Sequence, residues 1–160
     1  MKAVLISIKP KWCELIANGK KTVEVRKSRP KIETPFKCYI YCTKIKNTHI
    51  DMFLNYDATE KKTRICNGKV IGEFVCDYIT PLFNICTDNW DYLVGSSHDN
   101  EKELVSMANL TETELHRYAG GKNCYAWHIS DLVIYDKPKE LSEFGINRAF
   151  QSWGYVESEG

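Results

Sequence analysis

Hydrophobic and polar positions along the chain predict a series of short elements. Val4, Ile6 and Ile8 alternate on one face of an opening strand. Pro10 then starts a helix, where its missing N–H costs little. Trp12, Leu15 and Ile16 recur at helical spacing until Gly19 ends the segment. In the next strand, 22–26, Val23 and Val25 point to a core while Thr22, Glu24 and Arg26 share the opposite face, with Lys21 at the strand's mouth. Residues 36–43 set Tyr39 and Tyr41 against Cys38, Ile40 and Cys42, a strand buried on both sides. Residues 44–68 are polar and read as an insertion or long loop with a short helix. Asn67-Gly68 is a turn opening a strand over 69–79, with Gly72 at a bend or a close backbone approach. An irregular aromatic and acidic stretch, 82–100, leads to helices at 101–108 and 111–119. The second begins with Thr111 and Glu114 in capping-box spacing and stops at Gly120-Gly121. Strands at 124–129 and 132–135 hinge at Ser130-Asp131, and the tail carries a short helix at 139–144 and a Trp153/Tyr155 pair.

This order predicts an α+β fold, with short strands curling into a small mixed β-barrel flanked by helices. At 160 residues, 43% hydrophobic and 12% aromatic, with a net charge of +1, the chain has material for one core and is not of disordered composition. There are no repeats and no dividing linker, so residues 1–160 read as one domain. No apolar run is long enough to span a bilayer, and the start lacks the features of a signal peptide, which predicts a cytoplasmic protein. The seven cysteines, without a CxxC pair, read as reduced and mostly buried thiols. Cys38 and Cys42 lie about 13 Å apart along a strand, too far to share one zinc ion. Neither a metal nor a cofactor is expected. The even charge balance hides an asymmetry: residues 1–70 hold 16 Lys+Arg against 6 Asp+Glu, and residues 71–160 hold 6 against 15. A basic half can present a positive face to a phosphate or an RNA backbone, unless the two halves interleave and neutralise each other.

Gly19, Lys21, Glu24 and Arg26 fit the spacing G-x-K-x-x-E-x-R in a helix-then-strand setting. In this the chain resembles the ASCH domains, a branch of the PUA-like β-barrels. The strand order is also similar over residues 3–136, with 137–160 resembling the C-terminal extension of longer, phage- or prophage-type members. The resemblance implies a cleft beside the motif strand that binds RNA or nucleotide-like ligands. Some small members hydrolyse N4-acetylcytidine with a lysine, a threonine and a glutamate, without metal. Lys21 falls on that lysine. The threonine's position is Glu24 here, leaving Thr22 nearby, and Glu101 and Glu103 are the nearest counterparts of the glutamate.

For binding, Arg26 is expected to grip a phosphate or base edge through two parallel bonds, with Lys21 as a point charge and Glu24 as acceptor for an exocyclic amine. Trp127, His128, Tyr39, Tyr41 and Tyr125 are candidates to line the cleft or stack a base, and Lys27, Arg29 and Lys31 to extend a basic track. For catalysis, Lys21, Glu24 and Thr22 are the candidates. Lys21 needs a lowered pKa to act as a base, or Glu24 activates water beside Lys21 and Arg26. His116 reads as a surface residue, and His49 and His98 as loop residues. Three function classes stay open: binding of RNA or a nucleoside-type ligand, hydrolysis of an amide on N4-acetylcytidine or a relative, and docking to a host protein through 44–66 and 82–105. Oligomeric state is not legible.

Overall fold

The computed structural model describes residues 1–44, 52–86, 88, 91–95 and 101–158, so His49 and His98 lie outside the described residues. The order is β1 (Lys2–Ile8), α1 (Pro10–Ala17), β2 (Val23–Arg26), β3 (Phe36–Cys42), β4 (Leu54–Asp57), β5 (Lys62–Ile65), β6 (Lys69–Cys76), β7 (Ile79–Cys86), β8 (Asp91–Gly95), α2 (Glu101–Met107), α3 (Glu112–Ala119), β9 (Cys124–His128), β10 (Ser130–Lys139) and β11 (Trp153–Glu157). A 3-10 turn at Leu141–Phe144 stands where the short tail helix was predicted. The fold is α+β.

The strands form a five-stranded sheet in the order β10-β6-β3-β1-β11, a four-stranded sheet in the order β2-β9-β7-β8, and the β4-β5 hairpin. Among the described residues no ladder joins the two larger sheets, so the strands of the predicted small mixed β-barrel curl against one another without closing. The chain crosses between the two sheets at corners instead. The predicted strand 69–79 breaks at one of them: β6 ends at Cys76, the Tyr78 carbonyl accepts from His128 N (3.1 Å), and Ile79 starts β7 in the other sheet. Asp131, with φ 47°, lies near the start of β10, where the register on β6 shifts between Ser130 and Val133.

Alternation on β1 and β3 reads out as two buried faces. Val4, Ile6, Ile8, Cys38, Ile40 and Cys42 join the main core with Cys13 and Ile16 of α1. Ala3, Leu5, Tyr39 and Tyr41 face a second cluster with Val70, Phe144 and Val156. Residues of the C-terminal segment therefore cover the outer face of the central strands. A third cluster packs Val23 and Val25 of β2 with Leu104, Val105 and Leu115 of α2 and α3. The Thr111 capping box holds, and Gly120 ends α3 in the left-handed region at φ 58°.

Two stretches expected to be irregular contain hairpins. In 44–68, the Asp57 carboxylate accepts from the backbone N–H of Thr59 (2.9 Å) and Glu60 (3.0 Å), which closes the β4-β5 turn in place of a helix. In 82–100, Phe83 pairs with Val94 and Cys86 with Asp91 in the β7-β8 ladder. No described helix is long and apolar enough to cross a membrane.

Candidate functional site

The motif strand β2 runs along a cleft of about 670 Å³. Its walls are Ser7 from the end of β1, the segment Lys9, Pro10, Lys11 and Trp12 at the start of α1, Glu24, Val25 and Arg26 of β2, Thr43 and Lys44 after β3, Tyr118 of α3, and Gln151. The parallel pairing of β1 with β3 brings their C-terminal ends side by side, and α1 leaves β1 at the same end. That is why residues distant in sequence meet here.

Three charges are stacked into the wall. Glu24 is buried, and its Oε1 accepts from Arg26 Nε at 3.1 Å. Its Oε2 lies 3.2 Å from Lys21 Nζ without an aligned hydrogen bond among the described residues. Lys21 is only 3% exposed and stands behind Glu24 rather than on the cleft surface. Its Nζ donates to the Ala108 carbonyl (2.7 Å) and sits 4.9 Å over the Trp12 ring. Burial lowers the Lys21 pKa from its usual 10.5, opposed by the adjacent Glu24 carboxylate and reinforced by Arg26.

Arg26 departs from the two-bond grip expected of it. Nε is spent on Glu24, one Nη donates to the Ser7 carbonyl (2.7 Å), and the other donates to Ser152 Oγ (3.2 Å). With the Ser7-bound Nη also 3.1 Å from Glu24 Oε1, the guanidinium fork is engaged by protein groups and keeps little for a ligand. Arg26 is thus the keystone of the wall and at most a single donor to its contents.

The other candidates scatter. Thr22 is tied through its backbone to Met107 and Ile129 and does not line the cleft. Trp127 is 0% exposed, edge-on to Phe36 at 5.8 Å, so it offers no face to a ligand. His128 turns away: Nδ1 is 2.6 Å from Asp77 Oδ1 and the ring stacks on Tyr78. Tyr39 and Tyr41 are buried in the second cluster, and Tyr125 packs against the main core. Glu101 pairs with His116 at 2.9 Å, and neither Glu101 nor Glu103 lines the cleft. Burial pushes the Cys13 and Cys38 thiols well above their usual range, which leaves them protonated and poor nucleophiles. Among the described residues no group of three or more His, Cys, Asp or Glu is placed to hold a metal.

The aromatic surface of the cleft comes from residues the sequence reading assigned elsewhere. Trp12 packs against the main core as the helix's apolar stripe predicts, but it is only half-buried, and its remaining surface lines the cleft with Lys11 Nζ 4.5 Å from its ring. Tyr118 is 39% exposed and carries Lys27 Nζ 5.1 Å from its ring. The signal was present in the run Lys9-Pro10-Lys11-Trp12, an aromatic among lysines at a helix start. Tyr118 had none, because only packing of α3 against β2 brings it there.

The ASCH domain model matches residues 6–135. The crystal structure of ASCH from Zymomonas mobilis superposes with a TM-score of 0.64 at 19% identity, covering 97% of this chain and 87% of that one. A tyrosine-to-phenylalanine variant of the Zymomonas mobilis protein gives a TM-score of 0.61 at 19% identity, covering 98% and 91%. A serine-to-alanine variant gives 0.61 at 18%, covering 97% and 88%. No curated protein matches the sequence. The fold superposes on solved ASCH structures over nearly its whole length, and the family match runs over most of the chain; this chain belongs to the ASCH domain family.

Proposed function

We propose that the cleft binds single-stranded RNA or a nucleotide-type ligand. The observation that carries this reading is the combination of aromatic surface and cations without ion-pair partners at one opening. Trp12 and Tyr118 line the cleft with exposed Lys9, Lys11 and Lys44, and none of these lysines has an ion-pair partner among the described residues. Aromatic faces take bases, and solvated ammonium groups take phosphates. Lys27, Arg29 and Lys31 are also exposed and continue the basic surface from β2. The PUA-like ancestry of ASCH domains is consistent with such a ligand. Titrating short single-stranded RNAs and cytidine derivatives, with Lys9→Ala and Lys44→Ala as variants, tests the reading. Binding that weakens in each variant is expected. Uniform absence of binding, or variants that bind like the parent, defeats it.

Amide hydrolysis on N4-acetylcytidine is a second reading, supported by one observation: a lysine whose pKa burial lowers, beside a carboxylate. Against it, Lys21 is recessed behind Glu24 and already donates to Ala108. Loss of the acylated chromophore in the presence of the protein, abolished by Lys21→Ala, is the result this reading requires. No turnover by the parent rejects it.

A further inference from the structure

The family match ends at residue 135, yet a later segment builds part of the cleft. Residues 150–153 pass across the end of β1 and beside Arg26 on their way into β11. Four hydrogen bonds pin them. Ser7 Oγ donates to the Phe150 carbonyl (2.6 Å), and Ser7 N donates to the Ser152 carbonyl (2.8 Å). Arg26 donates to Ser152 Oγ (3.2 Å), and Trp153 Nε1 donates to Ser28 Oγ (3.0 Å). Gly154 completes the fit, since a Cβ there would fall 2.4 Å from the Phe150 ring.

Gln151 sits between the two pinned carbonyls. Its backbone is held on both sides, while its side chain is exposed in the cleft wall with Glu24, Arg26 and Tyr118. Among the described residues that side chain has no hydrogen-bond partner. A primary amide carries adjacent donor and acceptor atoms, the complement of a nucleobase edge. It carries no charge, so it adds little to the hold on phosphate, which the rim lysines already supply. Holding the backbone in place also reduces the ordering cost when the side chain engages a ligand.

We infer that Gln151, supplied by the segment beyond the family match, contacts the base of the bound nucleotide. This rests on the nucleotide reading above and adds to it the residue that senses whether a base is present. The experiment is calorimetric titration of the parent, Gln151→Ala and Lys44→Ala with the four ribonucleoside 5′-monophosphates and with ribose 5-phosphate, which shares their sugar and phosphate but has no base. Thermal melts of the same samples check folding.

Gln151→Ala is expected to weaken the tightest monophosphate about three- to tenfold, the effect of one lost hydrogen-bonding group, and to leave ribose 5-phosphate and the melting temperature unchanged. Lys44→Ala is expected to weaken both kinds of ligand. Equal losses for the two ligands in Gln151→Ala, or no loss for either, overturn the assignment; parent binding would still uphold the cleft reading. A parent that binds neither these monophosphates nor single-stranded RNA overturns both.

Discussion

Glu24 stands between an ammonium and a guanidinium, and its value to the protein lies in keeping those two cations together in a buried place. Removing it leaves Lys21 and Arg26 facing each other with no compensating charge, which is the costly way to break a buried ionic group. Glu24→Gln is therefore expected to cost about 3 kcal/mol of stability, measured by urea unfolding at neutral pH. The same variant carries a pH signature. Between the lowered folded-state pKa of Lys21 and its usual 10.5, the unfolded chain holds a proton that the folded chain has shed, so stability rises with pH in that window. Below it both states hold the proton, and above it neither does. Glu24 is what opposes the lowering, so Glu24→Gln extends the window downward and steepens the rise. Urea midpoints followed through the alkaline range check this, and a pH dependence equal to the parent's refutes it. At this scale the alternation of Val23 and Val25 with Glu24 and Arg26 was enough to assign faces. It could not say that Lys21 would be buried behind Glu24, nor that most of Arg26's donors would be taken by Ser7, Ser152 and Glu24.

Elements differ in how tightly their neighbours hold them, and two glycines show the range. At Gly72 in β6, a Cβ would stand 2.3 Å from the Val133 carbonyl oxygen and 3.1 Å from Ile134 Cα, both backbone atoms of β10. Gly72→Ala must shift a paired strand and is expected to cost about 2–3 kcal/mol. Gly19, which ends the turn after α1, has φ 78° but no atom within 4 Å of a built Cβ. Gly19→Ala meets only the left-handed penalty of about 1–2 kcal/mol. Denaturant midpoints of the two variants are expected to fall in that order, and the reverse order would mean that β10 yields easily. The sequence reading anticipated a bend or close approach at Gly72 and a helix stop at Gly19. It missed the β4-β5 and β7-β8 hairpins. The first is built on an aspartate folding its own turn, chemistry that looks in sequence like any polar loop. The second keeps Leu82 and Leu93 buried while Phe83 and Val94, paired across it, stay partly exposed, so polarity marks neither face.

Across the whole molecule, the charge asymmetry between the two halves of the chain is not erased by folding. Lys9, Lys11, Lys44 and the run Lys27, Arg29 and Lys31 remain exposed without ion-pair contacts among the described residues, while Glu60, Glu73 and Glu140 meet their lysines elsewhere. If three rim lysines meet phosphates, the logarithm of the RNA association constant falls against log salt with a slope of roughly −2. Lys44→Ala is expected to reduce that slope by about 0.7. Binding isotherms at several salt concentrations measure it, and a slope near zero would remove phosphate contact from the account. Local patterning by itself determined the opening strand, both helix caps, the two-faced burial of β3 and the motif strand with its charged face, because each depends on neighbours a few residues away. Only tertiary structure decided the contents of the cleft. Trp12, Tyr118 and Gln151 share a wall because α1, α3 and the C-terminal segment all pack at one end of β1 and β2, and such meetings across more than a hundred residues leave no periodicity to read. Tertiary packing likewise set Lys21 behind the wall while leaving Glu24 and Arg26 in it, because burial of the lysine and the bonds of Arg26 to Ser7, Ser152 and Glu24 depend on partners from other elements.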